Sequence, residues 1–229
     1  MKRILFLALL FLLAINLSAY SYGQNKVQKS KIDWKVIETK HFDIHYAKED
    51  DVFGETIAYI AENAFYHLNS YFKTPLQRRI PIIIYQSKQE FQTTNIIYPL
   101  LSEGVGGFTE SIRNRVVVPF DGSYKKFEEV LIHELTHAYV NDITGNFLLN
   151  PLFDSSFGML PFWFSEGLPE YLSIGGEDVY NNMFVLDLVL NDKLYPISYI
   201  SGYYAYRLGE AFLTWLGEEY EEEMPARFF

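Results

Sequence analysis

Val130-Leu131-Ile132-His133-Glu134-Leu135-Thr136-His137-Ala138 decides how this chain is read. Val130, Leu131, Leu135 and Ala138 recur at helical spacing, so the segment is expected to ride on a helix packed into a core. Residues four apart sit one turn above each other on one helix face, and the imidazoles of His133 and His137 can therefore converge on one ion at roughly 2.0–2.1 Å. Glu134 is rotated about 100° from His133 along the helix. It is badly placed to share that ion but stands beside a water on it, which makes it the candidate general base. Just upstream, Asp121-Gly122-Ser123 offers an N-cap, and Glu128 and Glu129 fall early in the helix, where carboxylates favour the positive end of the dipole.

Such a site needs a third ligand. The 229 residues include no cysteine, which excludes disulfides, thiolate metal sites, a cysteine nucleophile and a lipid-modified cysteine. The other histidines, His41, His45 and His67, lie far upstream, so a carboxylate must complete the set. Phe162-Trp163-Phe164-Ser165-Glu166-Gly167 follows at a suitable distance, on a helix expected from about Phe162 to Leu172. Glu166 can ligate the ion there, while Glu170, four residues on along the same face, accepts a hydrogen bond from the outer ring nitrogen of a ligand histidine. An amphipathic helix with two exposed glutamates would carry the same pattern, and Pro169 between them leaves the helix start open. Three protein ligands with one open position define a catalytic rather than a structural site. One zinc ion is the expected cofactor, although His and carboxylate ligands also accept other first-row metals.

The rest of the chain supplies a fold for this site and an address. Residues 1–23 read as a signal peptide: Lys2-Arg3, an apolar run from Ile4 to Ile15, then small residues before a cleavage point near Gln24. That run is shorter than the ~20 residues that cross a bilayer, and nothing downstream is long and apolar enough to span one. Export to the periplasm, cell envelope or medium follows. The formal charge of −10 becomes −12 once Lys2 and Arg3 leave, with 17 basic residues against 29 acidic ones. Such a surface repels nucleic acid and anionic lipid.

Residues 24–229 read as a single α+β domain. His41 to Tyr46 alternates as a strand does and puts His41, Asp43 and His45 on one face, a solvent-facing strand edge rather than a second metal site. Phe53 to Phe72 has the spacing of an amphipathic helix, with His67 beside its apolar stripe. Ile80–Tyr85 and Arg115–Pro119 are β-branched strand runs, and Gly104-Val105-Gly106-Gly107-Phe108 between them is a turn or loop. Asn141 to Leu160 could form a flap or wall over the cleft, or pack as core. Glu218 to Glu223 is expected to be a solvated helix face.

From roughly Trp34 to Glu223 the chain resembles the gluzincin peptidases, and among them the small bacterial peptidase-MA-like domains. The matches are His133-Glu134-Leu135-Thr136-His137, Trp163-Phe164-Ser165-Glu166-Gly167-Leu168-Pro169-Glu170-Tyr171 and Tyr206-Arg207-Leu208-Gly209-Glu210-Ala211-Phe212. The resemblance implies a zincin-like fold: a small mixed sheet, an active-site helix and a mainly helical C-terminal half. It implies zinc on His133, His137 and Glu166, with Glu170 buttressing the first histidine. It also implies a tyrosine hydroxyl facing the oxyanion, Tyr206 or one of its neighbours Tyr203 and Tyr204. Arg115 to Val118 takes the place of the edge strand that pairs with substrate backbone. The expected activity is hydrolysis of a peptide or protein substrate by a metal-activated water, with Glu134 as base. No match to the exopeptidase motif is found, which favours endopeptidase action. Relatives of this type often continue into a C-terminal β-propeller, and the resemblance therefore implies a chain that is the front part of a longer protein. The competing reading is a non-catalytic envelope binding or scaffold module that keeps the fold, with or without the metal; a structural zinc protein is a third.

Overall fold

The computed structural model describes residues 26–27, 31–47, 51–144, 160–175, 178–221 and 224–228. The signal-peptide segment and most of the 141–160 stretch lie outside the described residues.

Among the described residues, five strands and six α-helices follow in the order β1 (Trp34–Glu38), β2 (Phe42–Ala47), α1 (Asp51–Phe72), β3 (Ile80–Tyr85), α2 (Lys88–Gln92), β4 (Phe108–Glu110), β5 (Arg115–Pro119), α3 (Tyr124–Thr144), α4 (Phe162–Ile174), α5 (Val179–Leu190) and α6 (Tyr203–Glu219). Short 3₁₀ turns occupy Ile197–Tyr199 and Met224–Phe228. The strands form one mixed sheet in the order β1-β2-β3-β5-β4. β2, β3 and β5 run parallel, and β1 and β4 close the two edges antiparallel. The fold is therefore mixed α and β, with every described residue after β5 in helices or their connections.

The parallel centre explains the sequence there. Val116, Val117 and Val118 are all fully buried, because β5 is covered on both faces. α1 lays Phe53, Ile57, Ile60, Ala61, Ala64 and Leu68 into the same core that receives Leu131, Leu135 and Ala138 of α3. Ser123 caps α3, its hydroxyl accepting from the Lys126 N–H at 3.3 Å, while Asp121 accepts from the Ser123 N–H. α4 starts at Phe162, so Pro169 sits in the helix interior and leaves the Ser165 carbonyl without its helical donor. Burial of Phe164, Leu168 and Leu172 in the core holds the helix across that gap.

Three expectations are corrected. Arg115–Val118 is not an edge strand; β4, at the end of the Gly-rich stretch read as a loop, lies outside it. The His41–Tyr46 run is likewise internal, between β1 and β3. Its polar residues are taken by neighbours: His41 bonds Glu62 at 2.7 Å and stacks on Phe65, and Asp43 pairs with Arg79 at 2.9 Å. The acidic run leaves the helix early, α6 ending at Glu219 and Glu221 pairing with Arg227. His67, exposed on α1, hydrogen-bonds the Leu172 carbonyl at 3.1 Å. Among the described residues no helix is long and apolar enough to cross a membrane.

Candidate metal centre

α3 and α4 pack side by side, and their facing turns bring three ligand atoms together. His133 Nε2 and His137 Nε2 are 3.3 Å apart, His137 Nε2 and Glu166 Oε2 3.5 Å, and His133 Nε2 and Glu166 Oε2 3.7 Å. Among the described residues these three are the one such group of His and carboxylates able to hold a metal ion. A near-equilateral triangle of side about 3.5 Å has its centre about 2.0 Å from each corner, which matches the ~2.0–2.2 Å bonds of imidazole and carboxylate to a zinc-sized ion. Donor set and spacing both fit a single small divalent cation.

The remaining candidates surround the triangle. Glu170 Oε1 lies 3.3 Å from His133 Nδ1, the ring nitrogen turned away from the triangle. Glu170 is in turn reached at 3.5 Å by Arg207, which also pairs with Asp178, the N-cap of α5, at 3.1 Å. Tyr203 and Tyr206 both line the cleft, and Tyr206 is the one against the triangle. Its ring stacks on His133 at 6.1 Å between centroids, and its hydroxyl engages Glu166. Tyr203 and Tyr204 are 60% and 37% exposed; Tyr203 accepts from Arg207 and Tyr204 packs beside Phe184 and Tyr195. Glu134 is buried beneath the cleft and accepts a 2.8 Å hydrogen bond from the Thr109 hydroxyl of β4. His133, Glu134, Tyr206, Arg207, Phe162 and Val130 help line an open cleft of about 830 Å³.

Carboxylates outnumber cations here, and the titration of the groups reports it. Burial works to lower the His133 pKa, yet its contacts with Glu166 and Glu170 and the charge of Glu134 outweigh burial and push it up to about 10. Burial would raise Glu166, but hydrogen bonds from both imidazoles hold its carboxyl well below the usual range. Burial first, and the Glu166 charge second, push the Tyr206 phenol above its ordinary value, so it stays a hydrogen-bond donor at neutral pH. A site that binds a proton this tightly is one whose field favours a positive charge, and a metal ion competes for the same place.

Thr109, Gly107 and Asp178 were not legible as site residues. Arg207 was adjacent to Tyr206 in the third quoted segment, but nothing in its sequence neighbourhood announces a partner on α4.

Neither any protein-family model nor any curated protein matches this chain.

Proposed function

We propose that this chain is a zinc-dependent peptidase of the gluzincin type, built on a zincin-like fold, cleaving internal peptide bonds outside the cytoplasm. One observation carries the reading: three ligand atoms from two helices meet at metal-binding distance, while a buried carboxylate next to the first histidine stays outside the triangle. A structural site would have no use for that carboxylate.

His133, His137 and Glu166 would hold the ion, and Glu170 fixes the His133 ring through Nδ1. Zinc held there would supply Lewis acidity toward water and the substrate carbonyl. Glu134 takes the proton of the attacking water and passes it to the leaving amine. Tyr206, kept protonated by its surroundings, donates to the oxyanion as it develops. Among the described residues β4 is a sheet edge that follows Gly106 and Gly107 of the cleft lining, so an extended substrate can pair along it.

The deciding experiment is metal analysis of the purified protein together with hydrolysis of a mixed peptide library, with and without a chelator. Stoichiometric zinc and cleavage that chelation abolishes are the expected results. Zinc without cleavage converts the protein into a binding or scaffold module, and absence of both ends the metal reading.

A further inference from the structure

We propose that Thr109, on the edge strand β4, is the positioning residue that aims the Glu134 carboxylate, an inference that rests on the peptidase reading above. A glutamate on a helix has three rotatable side-chain bonds, and a base must present one oxygen to the water without entering the metal's ligand set. Something must therefore hold it.

Thr109 Oγ1 lies 2.8 Å from Glu134 Oε2 and also 2.8 Å from the Glu134 carbonyl oxygen. A hydroxyl has one proton to donate, and the charged carboxylate is the stronger acceptor. The β-branch of threonine restricts χ1, so this donor is itself fixed. On the other side stands Gly107. A β-carbon there would lie 3.0 Å from Glu134 Cγ, 3.2 Å from Oε1 and 2.9 Å from Val118 Cγ1, so the Gly107 backbone closes the space beside Oε1. The carboxylate is thus bounded on both oxygens by β4 and the glycine just before it. Oε2 is tied to Thr109, and Oε1 is left to receive the proton.

The strand is anchored to α3 at a second point, which makes it a rigid reference. Thr109 pairs with Val116 in the β4–β5 hairpin. At the hairpin turn Asn114 adopts a left-handed backbone with φ of 53°. Its side-chain amide donates to the Ala138 carbonyl at 2.8 Å, and its oxygen accepts from Asn141 at 3.1 Å. Glu110 closes the same turn, accepting from the Ile112 N–H and pairing with Arg115. The hairpin therefore grips α3 both beside the base and just beyond His137.

The test uses the full chain with zinc and one internally quenched peptide chosen from those the parent cleaves. Thr109→Val keeps the shape and removes the donor. A positioned base contributes ~10²–10⁴-fold, so this variant should lose at least about 10-fold in kcat, with KM within about twofold and zinc content at the parent level. Thr109→Ser, which returns the hydroxyl without the branch, should recover most of the loss. Thr109→Ala, which leaves more room, is read in the same way should the valine variant fold poorly. Parental kcat in the valine or alanine variant, lost zinc, or a serine variant as slow as the valine one overturns the proposal. A parent that cleaves nothing sinks the peptidase reading instead. Crystal structures of the parent and Thr109→Val then decide the inference by themselves: a displaced Glu134 carboxylate upholds it, and an unmoved one overturns it.

Discussion

Gly167 and Gly209 meet backbone to backbone where α4 crosses α6. A β-carbon on Gly167 would lie 2.6 Å from Gly209 Cα and 2.9 Å from the Glu210 nitrogen, and one on Gly209 would strike the Trp163 carbonyl oxygen. The two glycines let the helices approach closely enough for Tyr206, on α6, to reach Glu166, on α4. Gly209→Ala must push the helices apart, and overpacking of this kind costs ~1–3 kcal/mol. The expected outcome is a lower Tm together with weakened activity; an alanine variant as stable and active as the parent would show that the crossing has slack.

Ligands and base should separate cleanly by metal analysis. His133→Ala or Glu166→Ala removes one corner of the triangle and should lower zinc content. Glu134→Gln removes only the base, so zinc should stay bound while peptide cleavage disappears. Equal metal in parent and ligand variants, or undiminished turnover in Glu134→Gln, contradicts the assignment.

Tyr206→Phe takes away one phenolic donor and little else. Loss of a single oxyanion donor costs ~10²–10³-fold in kcat. The variant should fall by about that factor with zinc content unchanged. Tyr203→Phe should behave like the parent toward the oxyanion, because it is Tyr206 that stacks on His133 and engages Glu166.

Much of this arrangement could be read from the residues, for a physical reason. β3 and β5 have the bounds their apolar runs suggest, and α1 starts two residues before the expected Phe53, because residues that must face a core announce it by spacing. The elements that escaped are those with weak or conflicting patterns. β4 is three residues long after a glycine-rich stretch, with Phe108 and Thr109 half-buried and Glu110 buried, so it gives no alternation. α5 is apolar nearly all round, with Leu188 buried inward and Val179, Met183, Leu186 and Leu190 exposed, so no amphipathic period marks it. Placing β5 at the edge failed because strand order is a long-range property that no local window contains. The pairing of His133 and His137 was visible because helix geometry fixes residues four apart. Thr109 was not, since its link to Glu134 spans 25 positions and exists only after the hairpin docks on α3.

Glu170 and Arg207 should act on the metal through His133 rather than by touching it. Glu170→Gln weakens the acceptor facing His133 Nδ1, and loss of such an outer partner lowers metal affinity ~10–100-fold. Arg207→Gln frees Glu170 and Asp178 but leaves the Glu170 carboxylate in place, so its effect should be the smaller of the two. Zinc titration against a competing chelator orders the variants, and an Arg207 variant weaker than the Glu170 one would reverse the proposed hierarchy.

Glu210 offers a test of stability that is independent of catalysis. It is 2% exposed on α6, held by the Asn181 amide and, at 3.3 Å, by the Thr214 hydroxyl. Burial pushes its pKa up from 4.5 to about 7. The folded state therefore binds this proton more tightly than the unfolded state does. The resulting stabilisation is fully present below pH 4.5 and is lost as pH rises through about 7. Glu210→Gln cannot ionise, so it should escape that loss. At pH 8 the variant should gain ~3 kcal/mol over the parent relative to their difference at pH 4, since one pKa unit is worth ~1.4 kcal/mol. Thermal melts at the two pH values measure it. A stability difference that does not change with pH would mean that the Glu210 carboxyl titrates alike in the folded and unfolded chain.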